Sequence, residues 1–193
     1  MVSDMAQGTI DYTVNFLTDW HAGSGLTSGA EADAVVIKDS DGFPYIPGKT
    51  MKGLFADAFL DFLSLEIDKF SKESYNSLFG YMDKQTKVTS PGSLFFSNVC
   101  LPKSERSAIG IDQVDYLYRN IASTAIEAKT GVAKDSSLRV MEVCVPISLD
   151  GHILGAKDAE KQLIAQLAKY IRTIGASRNR GLGRCSIKTE SIK

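Results

Sequence analysis

The sequence lacks any linker. No Gly/Ser tract, Pro-rich run or block of like charge interrupts its 193 residues. That length suits one hydrophobic core, so a single domain over 1–193 is expected. No apolar run approaches the ~18 residues that suggest a membrane-spanning helix, and residues 1–10 show no basic segment leading into an apolar one. The reading is a cytoplasmic protein that neither spans a membrane nor is secreted.

Cysteine and histidine are scarce. Cys100, Cys144 and Cys185 are odd in number, far apart and without a C-x-x-C pair, and His21 and His152 have no partner at zinc spacing. Reduced, mostly buried thiols and no structural metal are expected.

Net charge is also low, at −1. Its distribution is uneven, because no acidic residue stands between Glu160 and Glu190. Lys161, Lys169, Arg172, Arg178, Arg180, Arg184 and Lys188 all fall in that interval, while Asp57, Asp61, Glu66, Asp68 and Glu73 make the middle acidic. A neutral total can hide one basic face. Composition alone favours the plainer alternative of a solvated helix face with a basic tail.

What is present has a recognisable order. "TIDYTVNFLT" (9–18) alternates as a first strand, with Ile10, Tyr12, Val14 and Phe16 on one side. Pro44 and Pro47 stop any helix before Gly48. From Thr50, a plausible N-cap, to Phe70 the residues Leu54, Phe55, Ala58, Phe59, Phe62 and Leu63 recur at helical spacing. "GSLFFSNVCL" (92–101) and "LRVMEVCVPISL" (138–149) read as the second and third strands. A helix capped by Asp158 runs to a stop at Gly175, and "RCSIKTESI" (184–192) reads as the last strand. Strand–helix–strand–strand–helix–strand is the split βαβ, ferredoxin-like arrangement of α+β proteins, which RNA-recognition modules also use. Long insertions at 19–49 and 102–137 interrupt it, and loops of that size are usually functional or disordered.

Three glycine-bearing segments end core elements: "WHAGSG" (20–25), "PGKTMKG" (47–53) and "RNRGLGR" (178–184). Glycines let backbone N–H groups approach a ligand, a helix start adds partial positive charge, and Lys and Arg add full charges. Together these suit a phosphodiester chain, although each alone is equally an ordinary turn. "GKT" at 48–50 is not a Walker A loop, since Phe43 stands where that pattern needs glycine. Asp33 lies in a loop rather than on a charged helix face. Such a carboxylate can bind a divalent ion or help deprotonate a ribose 2′-OH; simple solvation is the commoner use.

Four stretches carry a resemblance: "WHAGSG", "ADAVVIKDSDGFPYIPGKTMKGLFADAF", "TAIEAKTGVAKDSSLRVMEVCVP" and "GASRNRGLGRCSI". In this order they resemble the RAMP superfamily, and within it the repeating backbone subunits of type III CRISPR effector complexes. The resemblance implies copies of the chain stacked along a guide RNA, with further effector subunits and a target RNA as partners. It places Gly48, Lys49, Thr50 and Lys52, and Gly181 and Gly183 with Arg178, Arg180 and Arg184, on the guide backbone. His21 would lie close by, and Lys129 and Arg139 of the third stretch would bind RNA as well. Residues 120–137 would form a thumb-like hairpin that splays out one nucleotide at intervals. Asp33 would face the target strand and support its cleavage with Mg2+ or another divalent cation, the 2′-OH attacking.

Two departures stand out. Ile126-Glu127-Ala128 replaces the family's Ile-Asp-Arg, and Lys49-Thr50 replaces Ser-Ser. A non-catalytic backbone subunit, a metal-independent processing ribonuclease using His21, and an unrelated ferredoxin-like metabolic enzyme remain alternative readings.

Overall fold

Alternation decides the centre of the molecule. In β1 (Ile10–Phe16), Ile10, Tyr12, Val14 and Phe16 are buried on one face while Asp11 is exposed on the other. The computed structural model describes residues 8–25, 32–83 and 86–190. Residues 26–31 of the glycine-rich loop and 191–192 of the last expected strand lie outside them.

After β1 come β2 (Tyr45–Ile46), α1 (Gly48–Ser64), α2 (Lys72–Phe79), β3 (Gly80–Met82), β4 (Thr89–Pro91), β5 (Phe95–Phe96) and β6 (Val99–Cys100). α3 (Lys103–Ile109), β7 (Tyr118–Ser123), β8 (Arg139–Cys144), β9 (Ser148–Leu154), α4 (Asp158–Tyr170) and β10 (Cys185–Thr189) follow. The main sheet runs β10–β1–β9–β6–β2, with β5 also on β9, and every pairing is antiparallel. With β5 and β6 taken as one interrupted strand, the order is last, first, third, second, with α1 and α4 as the crossovers. This is the ferredoxin-like α+β fold.

The core lies between this sheet and the two helices. Tyr12, Val14, Leu149 and Ile153 meet Met51, Phe55 and Phe59 of α1 and Ile164 and Leu167 of α4, all fully or almost fully buried. Each of the aliphatic, Met and Phe side chains among them contributes about 1.5–3 kcal/mol by leaving water. Phe59 and Phe62 continue the cluster onto Phe70 and Tyr75.

Several boundaries differ from the sequence expectation. The stretch 138–149 is two strands, not one: β8 pairs with β7 in a separate hairpin, and the core strand is β9, beyond Pro146. Helix α1 starts at Gly48 rather than Thr50, because the Gly48 N–H finds Asn98 Oδ1 at 2.9 Å. It stops at Ser64, and Phe70 reaches the core from the turn beyond. Helix α4 is preceded by Lys157, whose N–H donates to Glu160 Oε2 at 2.8 Å, while Asp158 pairs with Lys161. It ends at Tyr170, five residues short of Gly175.

Candidate nucleic-acid interface

The segment after β1 and the glycine-rich segment before β10 are laced together by their backbones. Leu17 N–H donates to the Arg184 carbonyl (2.8 Å), Gly183 N–H to that of Asp19 (2.7 Å), and Ala176 N–H to that of His21 (2.9 Å). Arg184 N–H donates to Thr18 Oγ1 at 3.0 Å. Gly183 is required here: its φ is +70°, and a Cβ would stand 2.0 Å from the Ile174 carbonyl oxygen. Gly181, at φ +88°, has open space where a side chain would go. Arg178, Arg180 and Arg184 are exposed around these turns.

Helix α1 faces the same segment. Arg172, Thr173 and Arg178 share a cleft of about 410 Å³ with Leu54, Asp57 and Asp61 of α1. Lys49 and Thr50 are exposed and Lys52 half-buried in the turns just before Leu54, with no acidic residue in the first turn. Gly48 itself is buried, and a Cβ there would lie 2.1 Å from the Phe96 carbonyl oxygen. Its N–H is engaged by Asn98, so Gly48 serves the close packing of helix on strand and does not offer a donor outward.

The β7–β8 hairpin stands beside these loops. Its root is fixed from several directions: Tyr118 OH donates to the Gly42 carbonyl, Lys38 lies over the Tyr118 ring, and the Trp20 indole donates to the Val145 carbonyl. Burial pushes the Tyr118 hydroxyl pKa up. Glu142 accepts from the Val36 N–H with one carboxylate oxygen and from Lys38 Nζ with the other. Beyond Ser123 and Arg139 the tip is exposed and bonded within itself, by Lys134 N–H to the Ala125 carbonyl and by Thr124 to Ser137.

Asp33 is exposed and belongs to this root. Its N–H donates to the Val140 carbonyl, and its Oδ2 accepts the Val140 N–H, both at 2.8 Å. The carboxylate is thereby aimed along the first residues of β8. Arg139 lies next to that clamp, opposite Ser123, whereas Lys129 sits out in the tip. His21 is buried, with Nδ1 2.6 Å from the Glu142 carbonyl oxygen, which makes Nδ1 the donor. It therefore ties the first loop to β8. His152 pairs with Asp11 at the far end of β1, so the two histidines do not form a catalytic pair.

Sequence reasoning passed over Asp19, Arg119, Lys38 and Glu142. Only Asp19 had a local signal, its place beside "WHAGSG"; the others acquire meaning through contacts across about a hundred residues. Among the described residues no group of three His, Cys, Asp or Glu side chains comes together as a metal cage.

Fold and surface together define a ferredoxin-like domain with a projecting hairpin and exposed arginines around a glycine-bearing turn, a class suited to single-stranded nucleic acid. The RAMP superfamily model matches residues 13–186, and the chain belongs to that superfamily. No curated protein matches the sequence. Solved structures share the fold, two of them from one kind of complex. One, described as a cryo-EM structure of the type III-B Cmr-beta bound to cognate target RNA, aligns with TM-score 0.70 and 11% identity over 94% of this chain and 96% of that one. The other, of type III-B Cmr-beta in the apo state, gives 0.68 and 11% over 96% and 98%.

Proposed function

We propose that this chain is a guide-RNA-binding backbone subunit of a type III CRISPR effector complex, stacked in several copies, and that it cleaves guide-paired target RNA through Asp33. The observation that carries the reading is the lacing of the 17–23 loop to the 172–184 loop, with the middle of α1 across a cleft from the second and the hairpin rooted against the first. Lys49, Lys52, Arg178, Arg180 and Arg184 then follow a polyanion, and salt should weaken binding by counterion release. The near full-length likeness to Cmr-beta, a complex solved with target RNA, supports the same reading.

Asp33 fits a hydrated divalent ion. Mg2+ keeps most of its waters and takes one or two carboxylates together with substrate phosphate, so one exposed carboxylate suffices. Bound there, the ion would supply charge stabilisation to the phosphoryl group. The chain's own contribution is orientation: the clamp on Val140 fixes the carboxylate relative to the hairpin, whose tip holds a target nucleotide out of the stack.

The test is Asp33→Asn, whose amide oxygen still accepts the Val140 N–H while the charge is gone. In assembled complexes, target cutting should slow by at least about 100-fold with guide binding unchanged. Unaltered cutting would favour the second reading, a backbone subunit that only binds. That reading draws on Asp33 Oδ2 being already committed to the protein.

A further inference from the structure

Asp19 is an unusual carboxylate. Its side chain is only 8% exposed, and its only ion-pair partner among the described residues is Arg119. Both Nε (2.7 Å) and Nη2 of Arg119 donate to one oxygen, Oδ2. The other oxygen, Oδ1, is buried and accepts no hydrogen bond from the described residues. Burying a carboxylate with one oxygen unbonded carries a desolvation cost that a single ion pair offsets only in part.

Arg119 is the opposite case. Its side chain remains 60% exposed although its head group is held. A guanidinium has five N–H donors in a rigid fork; Nη1 donates to no protein group among the described residues. Arg119 projects from β7 opposite buried Val143, at the root of the hairpin. Asp19, which anchors it, also receives the Gly183 N–H on its backbone carbonyl, and its neighbour Thr18 receives the Arg184 N–H. The guanidinium thus stands where hairpin, first loop and glycine-rich loop converge.

We infer that Arg119 is an additional RNA phosphate ligand and that Asp19 is its positioning residue, holding the fork in place before RNA arrives. The inference rests on the RNA-binding reading and extends it to two residues outside the four stretches that carry the family resemblance. A pre-fixed guanidinium loses less rotamer freedom on binding than a free lysine and can take a phosphate through two donors at once. Asp19 lies behind it, screened from the phosphate by the cation that it holds.

The experiment compares full-length wild type, Arg119→Ala, Arg119→Lys and Asp19→Asn for binding to an unstructured oligouridylate over a salt series, with thermal melting alongside. Arg119→Ala should weaken binding about tenfold and lower the salt slope by roughly 0.7, the value of one lost phosphate contact on a single strand. Arg119→Lys should restore the slope but not the full affinity. Asp19→Asn decides between positioning and simple charge. Removing a negative charge from beside the RNA should tighten binding if only net charge matters, whereas loss of positioning should weaken it. Wild-type slope and affinity in Arg119→Ala would overturn the inference and leave the RNA-binding reading standing. Tighter binding by Asp19→Asn would overturn the positioning role. A wild type that ignores the RNA at low salt would overturn both. Should Arg119→Ala not fold, Arg119→Gln, which keeps a donor for Asp19 without the charge, replaces it with the same expected slope.

Discussion

Lys52 and Arg180 illustrate how much a single side chain here depends on its place. Neither has a carboxylate partner among the described residues; Lys52 is half-buried on α1 and Arg180 is exposed on the glycine-rich turn. Lys52→Ala and Arg180→Ala should each reduce the salt slope of RNA binding by roughly 0.7 and leave the melting temperature nearly unchanged; filter binding over a salt series reads both. The cysteines make a different prediction. Burial raises the Cys185 thiol from its ordinary 9.0 to about 12 and pushes Cys144 up as well, while Cys100 is half-exposed. Native protein should therefore react with a thiol reagent first at Cys100, and at the other two only on unfolding. A thiol that holds its proton more tightly when folded contributes stability in full below pH 9, and that contribution is lost as pH rises towards 12. Chemical denaturation at pH 8 and pH 10 should show the decline, and Cys185→Ser should reduce it.

Among the elements, the two glycines of the 178–184 turn separate structure from function. Gly183→Ala brings a Cβ against the Ile174 carbonyl at 2.0 Å and should disrupt the turn and unfold its surroundings. Gly181→Ala meets nothing and should cost only about 1–2 kcal/mol of left-handed strain, measurable by denaturant titration. The hairpin divides in the same way. Replacing tip residues 125–136 by a tight Asn-Gly turn should leave melting unchanged, because the tip bonds chiefly to itself, yet remove regular spacing from target cutting. The sequence made the elements legible where one face is buried: β1, α1 and α4 follow from apolar spacing alone. It hid those whose reason lies elsewhere in the chain. Asn98 starts α1 from fifty residues away, Pro146 divides an apolar run that alternation reads as one strand, and α2 and α3 are too short for a periodic signal. The site was legible in its glycines and arginines, which have local chemistry. Asp19 with Arg119, and the clamp of Asp33 on Val140, could not be read because each joins residues about a hundred positions apart.

For the whole molecule, the expected behaviour is association along RNA. Purified from cells that supply guides, the protein should carry short RNAs of uniform length and run as an assembly much larger than one chain; a nucleic-acid-free monomer would count against the backbone reading. Neutral net charge is no obstacle. The 161–189 interval carries no acidic residue and seven basic ones, so a local attraction for a polyanion is compatible with a total of −1. No helix among the described residues is long and apolar enough to cross a membrane.

The rooting of the hairpin has a consequence for engineering. Because Gly42, Lys38, Glu142, Asp33 and Trp20 secure its base and leave its end to itself, the end is an exchangeable cassette. Grafting a longer or shorter one from another protein should leave the host domain folding as before, with the same melting temperature.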